Sequence, residues 1–78
     1  MVAEQRPFDV LQRSIGQNVL VRLKGNTIIH GILKSFDPHL NLFLENAKLV
    51  KKSEDADVEE DIGQVVLRGD NVLMVSPP

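Results

Sequence analysis

Along the first quarter of the chain apolar residues recur at helical spacing, and then the period changes to two. Phe8, Leu11 and Ile15 stand three and four residues apart, which gives a helix one apolar face. Pro7 suits a first helical position and Gly16 a helix end, so the spacing predicts a helix over residues 7–15, its body Pro7 to Ser14. A helix this short is not stable alone in water and must lie on something. From Asn18 onward Val19, Val21 and Leu23 alternate with Leu20, Arg22 and Lys24, Gly25-Asn26 supplies a turn, and Thr27 to Phe36 resumes the extended pattern. Gly31 sits in the middle of this second run, where a glycine marks a bulge, a sharp bend or a close backbone approach.

Asp37-Pro38-His39 interrupts the pattern, and Leu40 to Glu45 reads as a third strand with Leu40, Leu42 and Leu44 on one face. Residues 46–60 are polar and charge-rich and read as a loop, into which the strands run some way because its tip holds no glycine or proline. Ile62–Arg68 and Asn71–Val75 are two more strands, separated by Gly69-Asp70. One short helix and five strands predict a mainly β, single-domain chain, a small and strongly bent SH3-like or OB-like barrel. Val65, Val66 and Leu67, and then Val72, Leu73, Met74 and Val75, are apolar on both faces of their strands. A strand half exposed to water alternates, so a neighbouring copy is expected to cover the outer face and pair with the edge.

Composition narrows the picture. A chain of 78 residues holds one domain, and a domain that short buries only about 60% of its unfolded surface, which makes self-association a natural support. No cysteine is available for a disulfide or a thiolate metal site, and no run approaches the roughly 20 apolar residues of a membrane span. The stretch from Met1 to Pro7 has no apolar core of a secretory signal, so a soluble cytoplasmic protein is expected. The net charge is −2. Lys51 and Lys52 against six carboxylates give residues 51–61 a net of −4, leaving +2 for the rest. The acidity is local, and a basic binding site elsewhere is compatible with it.

Two segments carry a family pattern. Val21-Arg22-Leu23-Lys24-Gly25, Gly31-Ile32-Leu33, Asp37 and Leu40-Asn41-Leu42-Phe43-Leu44 resemble the first Sm motif, within residues 18–46, and Val66-Leu67-Arg68-Gly69-Asp70-Asn71-Val72 resembles the second, within residues 61–76. With an acidic loop at 47–60 between them, the chain is similar to the Sm and Sm-like (LSm) proteins over nearly its whole length, and most to the archaeal type. The Lys-His second motif of the bacterial members is absent, and Pro38 stands where many relatives carry an aliphatic residue. The resemblance implies a helix-capped five-stranded barrel that closes into a ring, usually a heptamer and alternatively a hexamer, by pairing the fourth strand with a neighbour's fifth. It implies binding of single-stranded, uridine-rich RNA, one base per subunit near the pore, as scaffold or chaperone alongside RNA-processing proteins. The RNA-binding residues it implies are His39, Asn41, Arg68 and Asp70, with Asp37 and Gly69 in support, no cofactor and no metal.

The residue types suit that chemistry. His39 and Arg68 offer two flat surfaces for a base, a contact worth about 1–3 kcal/mol. Stacking does not choose the base. The Asn41 amide sets a donor beside an acceptor, complementary to the N3–H and carbonyl of uracil, but turned over it suits cytosine. Something must hold it, and Asp70 is the expected holder, while Asp37 is expected to cap the turn. Two other function classes fit less well. An enzyme lacks a visible nucleophile, base and orienting group, and Asp37 with His39 falls short of a metal's three or four ligands. A peptide-binding barrel predicts a monomer and gives no reason for Asn41 or for Arg68-Gly69-Asp70.

Overall fold

The computed structural model describes residues 7–52 and 55–77. Helix α1 spans Pro7–Ser14, with Asp9 in its first turn and Arg13 in its last, where the helix dipole favours each. Its buried face differs from the expected one. Leu11 and Ser14 are buried, whereas Phe8 and Ile15 stay largely exposed. Ile15 lies beyond the last helical residue, and the Phe8 ring lies 5.2 Å from that of Phe36, the last residue of the strand Thr27–Phe36, in an edge-on contact. Buried Ser14 donates its hydroxyl to the Val10 carbonyl at 2.8 Å. The Gly16 N–H donates to the Leu33 carbonyl and the Leu33 N–H to the Gln17 carbonyl, which stitches the end of the helix to the sheet.

Five antiparallel strands follow: β1 Asn18–Leu23, β2 Thr27–Phe36, β3 Leu42–Lys52, β4 Asp57–Leu67 and β5 Val72–Ser76, with a 3-10 turn over Gly69–Asn71. Their order in the sheet is β4-β3-β2-β1-β5, so β4 and β5 are the two edges. The alternation of β1 turns Val19 and Val21 inward and leaves Leu20 and Arg22 exposed. Leu33, Leu42, Leu44 and Val21 form the sealed centre of the core, with Leu11, Ile29, Ala47 and Leu67 around them.

The sheet bends along a line that crosses three strands. A Cβ on Gly31 would stand 2.9 Å from Ala47 Cα and 3.0 Å from the Glu45 carbonyl oxygen, so β2 and β3 cross there closer than any side chain allows. The pairing of β2 with β3 shifts register between His30 and Ile32, and that of β3 with β4 shifts between Leu44 and Ala47, where Ala47 faces Gly63. Asn46 and Gly63 take positive φ at this level, as residues in bulges do.

Two sequence expectations are corrected. Residues 46–60 are not mainly a loop, since β3 continues to Lys52 and β4 starts at Asp57. The extension survives because the register sets Lys48 opposite Asp61, a favourable cross-strand pair, and because Leu49 still packs against the core. Leu40 does not share a face with Leu42 and Leu44. It sits before β3 in a left-handed conformation, φ +63°, exposed to solvent. In line with the expected cover by a neighbouring copy, β4 and β5 are not covered on both sides within the chain: Val66, Leu73 and Met74 lie 68%, 60% and 46% exposed on the two edge strands. No helix among the described residues is long and apolar enough to cross a membrane.

Candidate functional site

Two turns at the same end of the sheet meet through one side chain. The first joins β2 to β3 and runs from Asp37 to Asn41. It is closed by backbone bonds from the Leu40 N–H to the Asp37 carbonyl, 2.9 Å, and from the Asp37 N–H to the Asn41 carbonyl, 3.2 Å. Asp37 Oδ1 also accepts the N–H groups of His39 at 2.9 Å and Asn41 at 3.0 Å. This is the side-chain-to-backbone capping for which aspartate is favoured in turns. The second turn joins β4 to β5 as Arg68-Gly69-Asp70-Asn71, closed by the Asn71 N–H donating to the Arg68 carbonyl.

Asn41 bridges them. Its Nδ2 donates to Asp37 Oδ2 at 2.9 Å, and its Oδ1 accepts the Gly69 N–H at 2.8 Å. Both bonds fix which end of the amide is which. Turning it over would set the carbonyl oxygen against the Asp37 carboxylate and the NH2 group against the Gly69 N–H, two repulsive contacts. Gly69 approaches the His39 carbonyl so closely that a Cβ has no room. Only glycine lets the second turn seat on the first.

Asp37 is therefore the residue whose importance the sequence understates. It caps the turn as expected, and its other oxygen does what was expected of Asp70. That expectation is corrected: the Asp70 carboxylate instead takes the Arg68 guanidinium at 3.1 Å, both side chains being well exposed. The reason is reach. Asp70 lies in the 3-10 turn beyond Gly69, two residues from Arg68, whereas Asp37 and Asn41 are the two ends of one tight turn. The signal available in sequence was the Asp-Pro-His-Leu-Asn spacing, an acid and an amide four apart across a turn.

Electrostatics follow the geometry. The Asp37 carboxyl is held below its ordinary value of 3.8, first by the Asn41 side-chain bond and then by the Asn41 backbone bond, against a desolvation that raises it, with smaller help from the His39 backbone and the His39 charge. His39 and Arg68 are both exposed, and they are neighbours because the His39 backbone meets Gly69, the residue after Arg68. The structure thus brings together His39, Asn41, Arg68, Asp70, Asp37 and Gly69. Asn41 keeps one Nδ2 hydrogen and one Oδ1 lone pair after its internal bonds are made. Among the described residues no group of three histidine or carboxylate side chains could hold a metal ion.

Comparison with known proteins matches this architecture throughout. The LSM domain model covers residues 9–77. An snRNP Sm-like protein of Methanococcoides burtonii is 44% identical over 72 residues, which is 92% of this chain and 96% of that one. The Sm protein of Pyrococcus abyssii, solved in complex with a uridine heptamer, superposes with a TM-score of 0.83 at 40% identity, over 95% of this chain and 100% of that one. The SmAP1 heptamer of P. aerophilum superposes with a TM-score of 0.80 at 41% identity, over 97% of each chain. With the helix, the five bent strands and both motifs matched from one end to the other, the chain belongs to the LSM domain family of Sm-like proteins.

Proposed function

We propose that copies of this chain close into a ring that binds single-stranded, uridine-rich RNA, one base per subunit. The observation that carries the reading is the clamped Asn41 amide, whose oxygen and nitrogen ends are fixed, an order that suits uracil's N3–H and carbonyl. His39 and Arg68, both exposed, offer the two flat surfaces to sandwich the base, at about 1–3 kcal/mol of stacking each time. Asp70 steadies the Arg68 guanidinium, and Asp37 and Gly69 hold the amide. The function is binding and not catalysis, as for the Sm protein solved with uridine heptamer.

Ring closure is supported by the sheet order. β4 and β5 are its free edges and carry the exposed Val66, Leu73 and Met74, so pairing one chain's β4 with a neighbour's β5 satisfies both and covers the apolar residues. The related P. aerophilum protein is a heptamer, and we take seven subunits for this one. Such a ring presents RNA as a scaffold or chaperone, and a cysteine-free chain suits the reducing cytoplasm.

Native mass spectrometry with and without a short oligouridine tests the whole reading. Seven subunits with one bound nucleotide each are expected. Protomers that never associate, or a ring that holds cytidine as tightly as uridine, would overturn it.

A further inference from the structure

A second concavity lies away from the site just described. It is a groove of about 500 Å³ between the β1–β2 turn and β3, lined by Arg22, Asn26, Thr27, Ile28, Val50 and Lys51. It opens at the far end of β2, whose first residues line it and whose last residue precedes Asp37. The two sites are thus separated by up to about 30 Å of extended strand.

Every polar side chain in the groove can donate: a guanidinium, an ammonium, an amide and a hydroxyl. No carboxylate lines it among the described residues. Arg22 and Lys51 make no ion pair among the described residues, while Lys34 is met by Glu45 and Arg68 by Asp70. Glu59, the register partner of Val50, reaches toward His30 instead, at 3.8 Å. Two cations uncompensated among the described residues, in a chain of net charge −2, line one groove together with the apolar Ile28 and Val50 and describe a place for a phosphate with a sugar or base beside it.

We propose that this groove is a second, sequence-independent contact for the same RNA, which takes the phosphodiester backbone of a strand too long for the uridine sites alone to hold. The inference rests on the RNA-binding reading above. An acidic protein segment offers similar charge, but RNA is favoured because a strand anchored at the other end of β2 reaches the groove at high effective concentration. Repetition around a ring multiplies the effect.

The test compares heptauridine with a long oligouridine by fluorescence anisotropy over a range of salt, using the Arg22→Gln/Lys51→Gln double variant. Native mass spectrometry verifies its ring. Neutralising one fewer phosphate of a single strand lowers the slope of log affinity against log salt by about 0.7, so the long RNA should bind about tenfold more weakly at 0.1 M salt, with a slope lower by at least about 0.7. Heptauridine should change less than about twofold, because the groove lies outside its reach. A Lys34→Gln/Lys48→Gln variant removes the same charge elsewhere and should leave the long RNA much less affected. Unchanged long-RNA affinity and slope would overturn the proposal and point to an acidic protein as the occupant. Equal weakening in the two double variants would overturn it too, since the overall field would then be the cause. Failure of wild-type heptauridine binding would instead count against the uridine site, and the long-RNA comparison in the same titrations would still decide the groove.

Discussion

At Asn41 one amide serves two turns and, in the proposed function, a ligand. Its internal bonds use one donor and one acceptor, and what is left over is what a base can read. Replacing Asp37 by Asn removes the carboxylate that forbids the flipped amide. Preference for uridine over cytidine should then fall about tenfold, the size of one charge-assisted hydrogen bond, with a smaller change in total affinity; competition between labelled oligouridine and oligocytidine reads it. Asp70→Asn should act differently, weakening both bases alike by loosening Arg68. pH gives a further check. A carboxyl with a depressed folded-state pKa stabilises above its unfolded value and loses that contribution as pH falls through the lower one. The turn should therefore hold through pH 4 and loosen only below the ordinary Asp37 value of 3.8, as amide exchange of His39 and Asn41 would report. Loss of selectivity already at pH 5 would contradict the clamp.

At the scale of elements, close approaches decide where chain can meet chain. Gly31 lets β2 cross β3, and Gly69 lets the second turn sit on the first. The two should respond differently to a methyl group. Gly31→Ala forces backbone against backbone inside the bend and should cost about 1–3 kcal/mol in urea unfolding at fixed protein concentration. Gly69→Ala lies at the rim, so the fold should survive while oligouridine binding is lost, because the Asn41 acceptor no longer finds its N–H. The glycine at 31 was legible in sequence as a mark of bending. The length of the β3–β4 hairpin was not, because charge run and polar loop look alike until a register sets Lys48 opposite Asp61.

For the molecule as a whole, the edges do not match in length. β4 has eleven residues and β5 has five, so a neighbour's β5 can cover only about half of β4. The remaining half carries Asp57, Glu59, Glu60 and Asp61, and acidic side chains on an open edge discourage further pairing. Replacing Asp57, Glu59 and Asp61 with threonine should give higher aggregates in light scattering. Leu73→Asp, on the exposed face of β5, should leave protomers in native mass spectrometry that bind long and short oligouridine alike, since a gain in affinity with RNA length needs repeated sites on one body. A Leu73→Asp ring of full size would argue that closure uses another surface.

The alternation of Val19 and Val21 with Leu20 and Arg22, the helix before Gly16 and the two motifs were determined by sequence, because periodicity and turn chemistry act over a few residues. So was the identity of the residues gathered at the two turns. Which carboxylate holds the Asn41 amide, that Leu40 leaves the strand face, and that Arg22 and Lys51 share a groove were decided only by the tertiary structure. Those facts depend on which backbones cross and how closely, and that is set by the bend of the whole sheet and not by any segment of it.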